Sequence, residues 1–155
     1  MTGGMADRSS LAPDELVRRV AAALGPLEAV RVAWLFGSRV AGTSHARSDL
    51  DIAVVYARGL DDAGRERARR VIVAALTDAL GAIGERADVV DVDRTSSSVA
   101  FRAIRDGRRV VVRSERERTV SEVGIMRRYD DEAPRRELFR RSAVHHAQRL
   151  AGGGR

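Results

Sequence analysis

Two short stretches of this sequence are apolar on both faces of an extended chain, and nothing else in it constrains the fold as strongly. In residues 28–36, Val30, Val32, Trp34 and Phe36 share one face while Ala33 and Leu35 occupy the other. Residues 50–56 repeat the pattern. A strand without a polar face has to be covered on both sides. Both runs therefore belong inside a sheet packed between helices.

The covering helices can be read around them. Leu11–Leu24 predicts a helix with Pro13 in its first turn, an apolar stripe of Leu16, Val17, Val20, Ala23 and Leu24, and a stop at Gly25-Pro26. Asp61–Leu80 predicts a second, with Ala68, Val71, Ile72, Ala75, Leu76, Ala79 and Leu80 at helical spacing. Ala87–Val92 reads as a third strand. The Thr95–Ser98 cluster caps a short helix that runs through Arg105 and closes at Gly107. Arg109–Arg113 reads as a fourth strand, and Glu115–Tyr129 and Arg135–Leu150 as helices separated by Pro134. The order α-β-β-α-β-α-β-α-α predicts an α/β sandwich on a mixed sheet of about four strands.

The 155 residues suit one domain that folds without staples. A core over residues 11–113, a helical extension over 114–150, a disordered tail at 1–10 and a flexible one at 151–155 are expected. The absence of Cys excludes a disulfide framework and Cys-ligated metal sites. With three His, an all-His metal site is not expected. No apolar run approaches a membrane span, and residues 1–10 lack an apolar signal core, so a cytoplasmic location is expected.

The chemistry is concentrated in residues 36–56, FGSRVAGTSHARSDLDIAVVY. Asp49 and Asp51 are two residues apart at the start of a strand, so their carboxylates point to one face, which Ala53 and Val55 then continue. Two adjacent carboxylates repel, and burying them unpaired is costly. A divalent cation relieves both problems, and carboxylates together with nucleotide phosphates suit Mg²⁺. Gly37-Ser38 ends the preceding strand. Its glycine admits a close ligand, and free N–H groups beside a hydroxyl form an anion site. For both features to meet, the first two strands must be antiparallel. The loop between them brings Arg39, His45 and Arg47, cations that could neutralise a triphosphate. A third carboxylate is expected from the strand 87–92. Asp88 lies at the same relative place as Asp51, whereas Asp91 faces the other way. Asp88 can join only if its strand is parallel to the second, with helix 61–80 as the crossover.

Gly-Ser followed ten residues later by Asp-x-Asp, here Gly37-Ser38 and Asp49-Leu50-Asp51, resembles the signature of the DNA polymerase β-like nucleotidyltransferase superfamily. The short length and helical extension resemble its minimal nucleotidyltransferase (MNT) subgroup, the MntA-type antitoxins paired with a HEPN toxin. The resemblance implies that Asp49 and Asp51 hold two Mg²⁺ ions and that Asp88 ligates one and helps activate the attacking hydroxyl. It implies that Gly37 and Ser38 position the β- and γ-phosphates of ATP. It also implies that AMP passes to a tyrosine of the HEPN partner with release of pyrophosphate.

Other functions stay open at this point: neutralising a toxin by binding alone, small-molecule (aminoglycoside-like) nucleotidyl transfer, or RNA end modification. The second usually needs an acceptor domain for which the chain has little room. The last is motivated by a net charge of +6. All 28 basic residues are Arg, interspersed with 22 acids, and aromatics make up 4%, which argues against a stacking platform for single strands. Direct nucleic-acid binding is therefore not expected. Arg102, Arg105, Arg108 and Arg109 could form a basic patch near the site, with a solvated face as the default reading, and Arg39 and Arg47 read equally well as surface residues. Trp34 reads as core, His45 as an incidental loop residue, and His145 and His146 as surface residues. Tyr129 is a possible interface residue.

Overall fold

The computed structural model describes residues 11–45 and 47–152, with backbone alone at 146, 147 and 149–152. Ten elements and one 3-10 turn follow in order: α1 (Pro13–Leu24), β1 (Val30–Phe36), α2 (Ser38–Ala41), β2 (Leu50–Tyr56), α3 (Asp62–Leu80), the turn Gly81–Arg86, β3 (Ala87–Asp91), α4 (Ser97–Asp106), β4 (Arg108–Val112), α5 (Glu115–Asp131) and α6 (Ala133–Gly152). The strands form one sheet in the order β3-β2-β1-β4. β1 is antiparallel to β2 and to β4, and β2 is parallel to β3. The two doubly apolar runs are thus the two central strands, and α3 is the crossover that the parallel pair requires.

Strand alternation divides the core. Ala33, Leu35, Leu50, Ile52 and Val54 face α1 and α3, where Leu16, Val20, Leu24, Ile72 and Leu76 meet them. Val32, Trp34, Phe36 and Ala53 face the other way, against Ala100 and Ala103 of α4 and Ile125 of α5. Every one of these side chains is at most 2% exposed. At about 25 cal/mol per Å² of apolar area, this two-sided burial dominates the stabilisation of the sheet.

Three helices start as their sequences dictate. Asp61 accepts from the Gly64 N–H at 2.7 Å, Ser96 from Val99 at 3.3 Å and Ser114 from Glu117 at 3.3 Å.

Several boundaries move. β1 starts at Val30, because tight turns at Leu27 and Val30, whose N–H groups bond to Leu24 O and Leu27 O, occupy 27–29. β4 starts one residue early, at Arg108. Pro134 lies inside the first turn of α6, where its missing N–H costs nothing, and the break between α5 and α6 falls at Glu132. Ala151 and Gly152, expected in the flexible tail, continue α6. The tails expected at 1–10 and 153–155 lie outside the described residues. Among the described residues, no helix is long and apolar enough to cross a membrane.

Candidate active site

β1 ends where β2 and β3 begin, so one edge of the sheet gathers the acidic residues. Phe36 lies opposite Asp51 in the antiparallel ladder, and Asp51 lies opposite Asp88 in the parallel one. Alternation puts both carboxylates on the face that carries Phe36 and Ala53, and Asp49 lies two residues before Asp51, just ahead of β2. Asp51 is partly buried, whereas Asp49 and Asp88 are exposed. Burial pushes the Asp51 carboxyl above its ordinary value, and the charges of Asp88 and Asp49 push it further; Arg102 opposes them. Asp51 thus feels the charges of both neighbouring acids at the starts of two strands.

The turn after β1 is shaped around Asp51. Gly37 has φ +80°, and a Cβ there would lie 2.0 Å from Asp51 Oδ2. Only glycine supplies that backbone conformation and leaves room for the carboxylate. Ser38 then opens the single turn α2. The Val40 and Ala41 N–H groups return to Gly37 O at 3.2 and 3.1 Å, and those of Gly42 and Thr43 to Ser38 O.

The arginines separate sharply. Arg39 is 5% exposed, so it is no surface residue. Its Nε–H and Nη2–H both donate to the carbonyl of Ser48, at 3.0 and 2.6 Å. Burial and Arg86 lower its pKa, and Asp49 raises it. Arg47 is exposed and has no partner among the described residues. His45 stands beside Ser48, with its N–H on Ser48 Oγ at 3.0 Å and its Nδ1 3.3 Å away from that oxygen.

Of the four arginines of the suspected basic patch, Arg102 is the one whose charge reaches Asp51. It projects from α4 with its guanidinium carbon 5.6 Å from the centre of the Phe36 ring, and its charge acts on Asp51. Two of the other three arginines of the suspected patch are engaged in ion pairs. Arg105 binds Asp106 at 2.6 Å and Arg108 binds Asp14. Arg109 lines a groove of about 540 Å³ with Trp34, Phe101 and Met126.

Asp91 points to the opposite face, where Arg65 binds it at 2.7 Å. Trp34 is fully buried. Tyr129 stacks on Phe101 with ring centres 4.0 Å apart, beneath Arg136. His145 is exposed, and the side chain of His146 lies outside the described residues.

Among the described residues, no three acids or imidazoles are already gathered at metal-ligand geometry. The donor set nonetheless fits a hard divalent cation. Its members are all carboxylates, two of them are exposed, and their charges weigh on the third, Asp51.

A mixed sheet with acids at the starts of β2 and β3, beside a Gly-Ser turn, defines a nucleotidyltransferase domain. Residues 20–116 match the family described as polymerase beta, nucleotidyltransferase, and the chain belongs to that family. Solved structures share the fold. A chain from a toxin–antitoxin complex with AMP-PNP superposes with a TM-score of 0.62 at 22% identity, over 83% of this chain and 98% of that one. One from a mutant MntA toxin–antitoxin complex gives 0.63 at 22% identity, over 86% and 99%. One from a complex of tri-AMPylated Shewanella oneidensis HEPN toxin with MNT antitoxin gives 0.54 at 19% identity, over 88% and 98%. At these identities the likeness is one of fold. No curated protein matches the chain.

Proposed function

We propose that the protein is a Mg²⁺-dependent protein adenylyltransferase antitoxin that transfers AMP from ATP to a tyrosine of a HEPN toxin. The observation that carries this reading is Asp51 itself, which lies opposite Asp88 in the parallel ladder, packs against Gly37 and feels the charge of Asp49. The similar fold in a complex that contains a tri-AMPylated HEPN toxin supports the choice of acceptor.

On this reading Asp49 and Asp51 hold two Mg²⁺ ions, with Asp88 as a further ligand to one. The ions supply charge stabilisation at the entering and leaving oxygens. Gly37 lets the backbone approach the β- and γ-phosphates, and the Ser38 hydroxyl and N–H donate to them. Arg47, exposed and without a partner among the described residues, adds a cation. Asp88 accepts the proton of the tyrosine hydroxyl as its oxygen attacks the α-phosphorus. The bond from that phosphorus to the bridging oxygen of the β-phosphate breaks, and pyrophosphate leaves.

The test is incubation of the chain with its toxin, ATP and Mg²⁺, followed by mass spectrometry of the toxin. The expected result is an AMP adduct on a tyrosine, lost with Asp49→Asn and with Asp51→Asn, together with loss of toxin neutralisation. Full neutralisation by both variants would replace this reading with one of binding alone. Pyrophosphate release driven by a small aminoglycoside-like acceptor, without the toxin, would replace it with small-molecule transfer.

A further inference from the structure

The sheet does not treat the two acids of the Asp49–Asp51 pair alike. Asp51 lies within both ladders of β2, opposite Phe36 on one side and Asp88 on the other. Asp49 precedes the strand and has no partner in either ladder. It is also exposed. A carboxylate that must share ions with a fixed neighbour needs its own backbone fixed.

We infer that Arg39 is the positioning residue for Asp49: its buried guanidinium grips the Ser48 carbonyl, and so holds the peptide plane from which Asp49 starts. The inference rests on the reading of Asp49 and Asp51 as metal ligands. Two N–H groups converge on one oxygen at 3.0 and 2.6 Å. That oxygen belongs to the peptide whose N–H is Asp49's own. Ser48 is itself 8% exposed, and its hydroxyl accepts from the His45 backbone, so the grip closes a loop that is tied at both ends. Arg39 makes no ion pair among the described residues. Burying a guanidinium without one is costly, and the two hydrogen bonds to the Ser48 carbonyl offset part of that cost. Arg39 is thereby removed from the cations available to the triphosphate, where the sequence alone had placed it beside Arg47.

Electrostatics makes the inference testable by sign. Removing a positive charge near Asp49 would by itself strengthen cation binding, whereas loosening Asp49 weakens it. The experiment titrates Mn²⁺ into the full chain without nucleotide, for wild type, Arg39→Met, Arg39→Lys and Asp51→Asn. A non-hydrolysable ATP analogue is titrated separately in EDTA. Arg39→Met is expected to weaken Mn²⁺ binding by roughly 10-fold, with metal-free binding of the analogue unchanged. Arg39→Lys, which keeps the charge and one donor, is expected to fall between Arg39→Met and wild type.

Equal or tighter Mn²⁺ binding by Arg39→Met overturns the inference, as does loss of metal-free analogue binding with Mn²⁺ binding intact. Should circular dichroism show Arg39→Met unfolded, Arg39→Lys is read by the same rule. Weaker Mn²⁺ binding supports the inference, and equal or tighter binding overturns it. A wild-type chain that binds no Mn²⁺, or an Asp51→Asn chain that binds it as well as wild type, removes the metal reading itself and the inference with it.

Discussion

Gly37 is where backbone conformation and site chemistry meet. Its positive φ and the Asp51 carboxylate lying where a Cβ would go are two independent demands for glycine. Gly37→Ala must either displace Asp51 or distort the turn. It is expected to lose about 1–3 kcal/mol of stability and most of the transferase activity. Urea unfolding and the AMP-transfer assay check the two effects, and a variant equal to wild type in both would refute this account of the turn. Asp51 makes a prediction of opposite sign. Its folded pKa lies above its ordinary value of 3.8, chiefly through burial and then Asp88, so its proton binds more tightly in the folded state. The stability this contributes is complete below the unfolded pKa and is lost as pH rises through the folded one. At neutral pH, without divalent ions, the ionised Asp51 therefore costs stability. Asp51→Asn is expected to melt above wild type at pH 7 in EDTA, with the gap closing as pH falls toward 3.8. A variant that melts below wild type at pH 7 would contradict it. The acids and Gly37 were legible in the sequence because a two-residue strand period fixes which carboxylates share a face. The burial of Arg39 and the singling out of Arg102 from its neighbours were not. Where every basic residue is Arg, no single one stands out, and only the packing of α2 and α4 separates the buried one and the one facing Asp51 from the rest.

At the level of elements, the central strands and the parallel pairing of β2 with β3 followed from apolarity on both faces and from an intervening helix of adequate length. The 3-10 turn Gly81–Arg86 did not follow. It carries no periodic signal, and Gly84 is there for space: a Cβ would lie 2.1 Å from the carbonyl oxygen of Leu76 in α3. Such a contact depends on how the chain returns to β3, which no local pattern encodes. The crossover itself depends on a clean start. Asp61 caps α3 through the Gly64 N–H at 2.7 Å, at the end of β2 away from the acids. Asp61→Ala is expected to cost about 1 kcal/mol of stability while leaving AMP transfer unchanged. Chemical denaturation and the transfer assay decide it. A transfer rate that falls with this variant while the protein stays folded would mean that the far end of the crossover is coupled to the site.

For the molecule as a whole, the excess of arginine is less of a binding surface than its +6 charge suggests. On α1, Arg18 and Arg19 flank Glu15; on α3, Arg69 and Arg70 flank Glu66; on α6, Arg140 and Arg141 flank Glu137. In each case the acid precedes its bases by three and four residues, the orientation that suits the helix dipole. On α5, Arg118 is shared between Glu115 and Glu122. Arginines already hydrogen-bonded to carboxylates are poor at displacing counterions from a nucleic-acid backbone, because each contact first has to break a pair. Affinity for single-stranded RNA is therefore expected to be weak, with log K falling against log salt with a slope no steeper than about −2, corresponding to about two or three neutralised phosphates. Fluorescence anisotropy with a labelled oligonucleotide over a salt series measures that slope directly. A slope of about −5 or steeper would mean that the helix pairs open to bind phosphate, and would return RNA to the list of substrates that this nucleotidyltransferase domain could serve.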